Sequence, residues 1–446
     1  MTKRRTMPAL VAATLGIGAT AVYAEPAQQP DLQKQIEALQ AQLQEIKAQQ
    51  AERATTPAFT NKDVDATVDS VLRDADRRSQ LLAEAGGGTA GWMDGGFRIR
   101  SGDGRYELQP FAQFQFRHVT NFTDGVGTDD ETESVEGFEV RRMKFGIKGH
   151  AIDPKLTYEF RWATDRNSGG LNLENAFLIY EMADAWAIKL GQWKDHWTHE
   201  ESTSSARQLA VDRSLLNEMI AGGETDYVQG IALQYDGGGI RGEVAYHDGA
   251  NSDNTNFQDA GTNFGISGRI EGLLFGDWKA YEDFSAMNNK KDLLAIGGGF
   301  DWSQAGDSNV FYHTIDAQWE TTGGLGLYGA YVGRWVDLGG DGDEDNIFDF
   351  GFLVQAGYML DRNWEIFGRG GWTMLDEDFI DPDAEENVLE LTFGVNYYFR
   401  GHNAKFTVDA TWLPNGSPES HTGIGILGQA NDDMQFLIRG QFQLAI

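Results

Sequence analysis

The last eleven residues of the chain, Phe436 to Ile446, alternate without a break. Phe436, Ile438, Gly440, Phe442, Leu444 and Ile446 take one parity; Leu437, Arg439, Gln441, Gln443 and Ala445 take the other. A period of two is the signature of a β-strand with two unlike faces. Left at the rim of an open sheet, such a strand is an exposed edge that other chains can pair with. A closed barrel removes the problem by pairing it with the first strand, and the same alternation recurs through most of the chain.

Composition narrows the alternatives. Glycine is abundant at 55 and proline scarce at 9, while aromatics reach 12%, a balance suited to many strands, tight turns and aromatic girdles. Mean hydropathy is −0.44, and after the leader no apolar run approaches the ~20 residues of a membrane helix. Cysteine is absent, which excludes a disulfide framework, a thiol nucleophile and a Cys-ligated metal. The formal charge of −32 argues against nucleic acid as a partner. No cofactor motif is present.

Three segments precede the strands. Residues 1–24 read as a signal peptide: basic Lys3-Arg4-Arg5, an apolar core from Ala9 to Ala21, and the cleavage-like Val22-Tyr23-Ala24. In residues 25–54, Leu32, Ile36, Leu39, Leu43 and Ile46 are spaced 4-3-4-3, a heptad seam. It reads either as a short periplasmic coiled coil between subunits or as an amphipathic helix on a barrel rim. Residues 55–107 form a linker with a weak helix near Val64 to Leu82 and a short hairpin at Gly96–Arg105.

Residues 108–446 carry about sixteen alternating segments. Leu156, Tyr158, Phe160 and Trp162 oppose Thr157, Glu159 and Arg161; Phe406, Val408, Ala410 and Trp412 oppose Lys405, Thr407, Asp409 and Thr411. In a soluble sandwich the apolar parity would be the core. Behind an export signal it faces lipid and the charged parity lines a watery lumen, so the fold class is an all-β, transmembrane antiparallel β-barrel. Short connections such as Ile152-Asp153-Pro154 and Asp361-Arg362-Asn363 read as periplasmic turns, and the acidic stretches at 124–134, 251–263, 338–349 and 376–386 as outward loops. The longest connection, 194–226, contains Leu215-Leu216 and Met219-Ile220, too apolar for a free loop, and is expected to fold inward as a constriction.

Here the residues reach a resemblance. Phe138-Glu139-Val140-Arg141-Arg142-Met143-Lys144-Phe145-Gly146-Ile147-Lys148-Gly149 resembles the Arg-Arg strand of the phosphate-selective porin O and P family. Lys189–Lys194, Glu200–Ser205 and Asp212–Asn217 are similar to that family as well. The resemblance implies a homotrimeric, sixteen-stranded channel in the lipid of a Gram-negative-type outer membrane, passing small hydrophilic solutes or inorganic anions such as phosphate. The chain departs from the pattern in its acidity and in ending on Ile446 rather than an aromatic residue.

The strand registers place Arg142, Lys144, Lys148, Arg161 and Lys189 on the lumen face, and the inward connection adds Arg207 and Arg213. These seven are the candidate pore-lining, anion-binding residues. The same registers put Arg269, Arg369, Lys405 and Arg439 inside, but also Glu159, Glu243, Glu271, Asp316, Glu320, Glu365, Glu390 and Asp409. The lumen therefore reads either as an anion filter or as a mixed-charge solvated wall. His196-Trp197-Thr198-His199-Glu200-Glu201 matches no zinc spacing, and Asp341–Asn346 only begins like a calcium loop. Two other function classes stay open: a non-conducting envelope tether held by the coiled coil, and a barrel-embedded hydrolase using His313 with Ser303 or Ser308.

Overall fold

A computed structural model describes residues 40–45, 47–48, 68–74, 77, 88–93, 95–123, 133–258, 264–339, 346–377, 386–428 and 433–446. The chain divides into two units, Met1–Arg78 and Ser79–Ile446. In the first, the described residues are helical, and Leu43, Val68, Val71 and Leu72 are exposed along them. The signal peptide, the seam residues Leu32, Ile36, Leu39 and Ile46, and the acidic runs at 129–131 and 341–345 lie outside the described residues.

The second unit is built of strands: β1 (Thr89–Met93), β2 (Gly96–Arg100), β3 (Glu107–Thr123), β4 (Glu133–Ala151), β5 (Asp153–Thr164), β6 (Leu171–Ala183), β7 (Trp186–Lys194), β8 (Tyr227–Gly237) and β9 (Ile240–His247). It continues with β10 (Phe264–Phe275), β11 (Leu293–Ala305), β12 (Ser308–Glu320), β13 (Leu325–Asp337), β14 (Asn346–Met359), β15 (Trp364–Met374), β16 (Asn387–Tyr398), β17 (Ala404–Leu413) and β18 (Gln435–Ala445). From β3 to β18 every strand pairs antiparallel with the next, and β18 pairs back onto β3, closing a sixteen-stranded barrel. The Ala112 and Ile446 backbones exchange two hydrogen bonds of 2.9 Å at this seam.

The two parities are sorted the opposite way from a soluble domain. Ile438, Phe442 and Leu444 are at least 40% exposed, whereas Arg439, Gln441 and Gln443 between them are 0–2% exposed. On β12, Phe311, Ile315 and Trp319 face out while Tyr312, Thr314, Asp316, Gln318 and Glu320 are buried. An outward belt of large apolar side chains around a polar interior is stable only where lipid takes the place of water.

Two features depart from the sequence reading. A hairpin β1–β2 turning at Gly95 (φ +80) precedes the expected 96–105 stretch, in which β2 turns at residues 101–106 back onto the start of β3. Connection lengths also fail to alternate everywhere. Residues 276–292 join β10 to β11 at the end of the barrel that otherwise carries short turns, while β11 and β12 are joined at the loop end by only Gly306-Asp307.

Candidate functional site

The connection 195–226 lies inside the barrel. It forms three short helices, α1 (His199–Ser202), α2 (Leu215–Ile220) and α3 (Gly222–Thr225). The Thr198 side chain caps α1, and the Ser214 hydroxyl caps α2 by accepting from the Asn217 N–H at 3.1 Å. Leu215, Leu216, Met219 and Ile220 are buried together with Trp197 and Leu209 against Tyr312, Tyr328, Val332, Leu353 and Phe367 of the wall. Each such aliphatic side chain contributes about 1.5–3 kcal/mol relative to exposure. Gly351 makes this seat possible, because a Cβ there would collide with Leu216 Cδ1. The apolar anchors expected from the sequence are therefore in place.

Between the helices the loop backbone depends on the wall for its partners, since a buried polar group left unpaired is costly. Arg369 donates to the Asp212 and Arg213 carbonyls at 2.9 and 3.2 Å, Asn396 to Leu209 at 3.0 Å, Lys405 to Gln208 at 2.6 Å and Gln443 to Ala206 at 3.0 Å. Asp409 and Glu390 accept from the Val211 and Leu215 N–H groups at 2.9 and 2.8 Å. The inward arginines also pair with acids of the adjoining strand, Arg439 with Asp409, Arg369 with Glu390 and Arg334 with Asp349, while Arg269 of β10 reaches across β11 to Asp316 of β12, all at 2.6–2.8 Å. On β12–β18 the lumen charges are thus spent on the loop and on one another.

Asp212 is the electrostatic centre of the loop. Its carboxylate meets Arg117, Arg141 (3.1 Å) and Arg142 (2.8 Å). Burial alone would raise this carboxyl, but the three guanidiniums outweigh it and hold it well below the ordinary carboxylate range. Both arginines of the Arg-Arg pair point inward because β4 bulges there: Gln115 pairs with Arg142 but the next residue, Phe116, pairs with Val140. Strict alternation would send Arg141 to the lipid, so it escaped the sequence reading. The signal was present, since outward Phe138 and Val140 are even-numbered and outward Met143 and Phe145 odd-numbered.

Space remains on the opposite side. One cavity of about 220 Å³ lies between the loop and β3–β8, lined by Lys144, Glu159, Arg161, Asn175, Lys194, Glu201, Arg213, Tyr227 and the hydroxyls of Ser202 to Ser205. Its charged lining is four cations against two carboxylates. A second cavity of about 370 Å³ is lined by Gln234, Asp236, Arg241, Glu243, Arg269 and Glu271, two cations against three acids. His196 and Ser202 line both. Burial, with Lys189 as the next cause, pushes the His196 imidazole down to about 4, so it is neutral at physiological pH.

The seven sequence-chosen cations fall into different surroundings. Lys144 and Arg161 share Glu174, at 2.6 and 3.0 Å, beside the basic cavity. Arg213 lies at the same cavity, paired with Glu201 at 3.0 Å and donating to the Glu200, Glu201 and Thr203 carbonyls. Arg142 is held by Asp212, and Lys189 is buried over the Trp193 ring with Glu243 at 3.2 Å. Arg207 makes an exposed pair with Glu282 at 2.6 Å. Lys148 is exposed, 5.7 Å from the Phe111 ring centroid.

The structure adds a second inward segment. Residues 276–292 bring Tyr281 and Phe284 into the lumen, and Tyr281 stacks on His199 of α1 with ring centroids 3.9 Å apart. His199 Nε2 bonds Gln318 Oε1 at 2.7 Å, while His196 Nδ1 lies 3.2 Å from Ser202 Oγ, so the two histidines serve different partners. Ser303 is buried inside, whereas His313 sits among Phe311, Tyr331 and Phe348 on the outer face, so the hydrolase grouping does not assemble.

Comparison with known proteins agrees with this architecture. The family model of phosphate-selective porin O and P matches residues 113–308, a span containing every residue of the basic cavity. An uncharacterized protein of Aquifex aeolicus (strain VF5) is 22% identical over 297 residues, covering 62% of this chain and 71% of its own. Among solved structures, the anion-selective porin from Comamonas acidovorans is 12% identical with a TM-score of 0.53, covering 76% of this chain and 99% of that one. Salmonella typhi OmpF in complex with daunomycin is 14% identical with a TM-score of 0.51, over 76% and 98%. At such identities the structural likeness speaks for the fold alone. The chain thus has the fold of the outer-membrane porins, and over residues 113–308 it matches the family of phosphate-selective porin O and P.

Proposed function

We propose that the barrel is a passive diffusion channel for small hydrophilic solutes, with inorganic anions such as phosphate among them, and that loop 195–226 sets its constriction. One observation carries the reading. The loop is bound to one wall and leaves beside it a cavity of about 220 Å³ whose lining holds four cations, two carboxylates and a row of hydroxyl-bearing residues. Cations in a confined site act through a lower effective dielectric than bulk water, and guanidinium and hydroxyl groups suit phosphate oxygens. The acids of the second cavity oppose this, so the preference for anions is moderate and depends on the basic cavity being the narrower.

Family resemblance supports a homotrimer, with the Leu32–Ile46 seam reinforcing it beneath the membrane. Deleting residues 25–54 then leaves the barrel folded and weakens the trimer. An unchanged trimer melting temperature would remove the seam from the account.

Single-channel recording in a planar bilayer tests the central claim. The expected result is a conducting pore whose reversal potential in a salt gradient favours anions, and whose current falls when phosphate is added. A silent barrel overturns the channel reading and favours the tether. A cation-selective reversal potential overturns the anion reading alone.

A further inference from the structure

Asp195, the first residue of the inward loop, His247 at the end of β9 and Asp301 in β11 converge at the loop end of the barrel. One ligand-type atom from each lies within 4.8 Å of the others, and all three residues are buried. The convergence is built by Gly265 of β10, which pairs with His247: a Cβ there would strike the imidazole ring. Its absence lets the ring cross β10 toward the next strand.

The polar contacts leave the centre of the group unsatisfied. His247 Nε2 and Asp301 Oδ2 are in ion-pair contact at 3.1 Å without the alignment of a hydrogen bond, and Asp195 Oδ2 has no aligned donor. Asp301 Oδ1 accepts from the Ser303 hydroxyl at 2.7 Å, and the Ser267 hydroxyl faces Asp195. Among the described residues no lysine or arginine ion-pairs with Asp195 or Asp301. Two adjacent buried carboxylates with a single imidazole to set against them are costly. Ligand atoms bound to one metal at ~2.0–2.2 Å sit roughly 3.0–3.5 Å apart, which is the His247–Asp301 spacing.

We propose that Asp195, His247 and Asp301 form a site for a divalent cation of the zinc or manganese class, which clamps the base of the inward loop to β9 and β11. Two carboxylates and one imidazole are a borderline donor set, with the Ser267 hydroxyl and water able to complete the shell. His247 Nδ1 accepts from the Gly249 N–H at 3.1 Å, so in the empty site the ring proton is on Nε2. On binding, Nε2 gives its lone pair to the cation, the ring proton passes to Nδ1 and the Gly249 contact is given up. A carboxyl that is protonated in the empty site loses its proton to water on binding.

The test uses the full chain purified in detergent and dialysed against EDTA, titrated with Zn²⁺ by calorimetry. One saturable site per chain is expected, with a raised melting temperature when it is filled. Asp301→Asn and His247→Gln each weaken that site by about a hundredfold or more, whereas Asp361→Asn in an exposed turn leaves it intact. Absence of a stoichiometric site, or one that survives both substitutions, overturns the proposal and leaves Asp195 and Asp301 sharing a proton. If either variant fails to form a heat-modifiable barrel, zinc-edge X-ray absorption on the unmodified chain decides. A shell with one imidazole is expected, and an all-oxygen shell would mean surface carboxylates only.

Discussion

The walls on either side of the inward loop have similar side chains and opposite employment. On β12–β18, Arg369, Lys405, Arg439 and Gln443 donate to loop carbonyls or to acids of the next strand, leaving little charge for a passing solute. On β4–β8, Lys144, Arg161 and Lys194 border open space, although acids partly neutralise them. A lumen-facing cation is therefore no measure of selectivity by itself. What matters is whether its hydrogen bonds are already committed, which is a property of the partner across the barrel.

The sharpest way to break this contrast is Asp212→Asn. It keeps the shape of the side chain but leaves Arg117, Arg141 and Arg142 without their shared counter-charge. Removing one partner from a buried ionic group costs about 3–5 kcal/mol, which a denaturation midpoint in detergent would register. Three released guanidiniums also move the reversal potential toward anions. A stable barrel with unchanged selectivity would show that the arginines are compensated elsewhere.

Arg369→Gln comes next. It withdraws donors from the Asp212 and Arg213 carbonyls and the partner of Glu390, hydrogen bonds to charged groups worth about 1.5–3 kcal/mol. Open-channel noise is expected to rise as the loop loosens, with little change in selectivity. A large selectivity shift would mean that this wall faces the solute path after all.

Lys144→Gln exchanges the two outcomes. Stability falls less than in the other two variants because Arg161 still pairs with Glu174, while the anion-to-cation permeability ratio falls roughly fivefold, the effect of about 1 kcal/mol from one charge beside a partly screened path. Equal shifts from Lys144→Gln and Arg369→Gln would erase the distinction between the walls. Lys148→Gln is the smallest change: an exposed lysine with only a distant ring neighbour is expected to alter neither stability nor reversal potential measurably.

These contrasts also mark what the sequence could tell. Strand positions were legible because parity is local: Ile240–His247 is read directly from its alternation, and the last strand from the chain end. The inward loop was legible from Leu215, Leu216, Met219 and Ile220, apolar residues with no business in water. Arg141 was hidden because one bulge reverses the parity on which the reading depends. The segment 276–292 was hidden because its anchors, Tyr281 and Phe284, are few and set among polar residues. Pairings such as Arg117 with Asp212 join positions 95 residues apart, and no local pattern encodes them. The three-residue group at Asp195, His247 and Asp301 is invisible for the same reason, having no spacing to recognise.

The seam between β18 and β3 has a consequence for how the molecule comes to exist. A hydrogen bond there, Gln115 to Gln443, joins residues 328 positions apart. Bringing such ends together in a free chain costs about 5 kcal/mol in closure entropy, so neighbouring hairpins form first and the ring shuts last. Until then β3 and β18 are two unpaired edges that fit one another, whether they belong to the same molecule or to two. Closure within one chain is unimolecular and exchange between chains is bimolecular, so protein concentration during assembly decides between a barrel and a swapped pair.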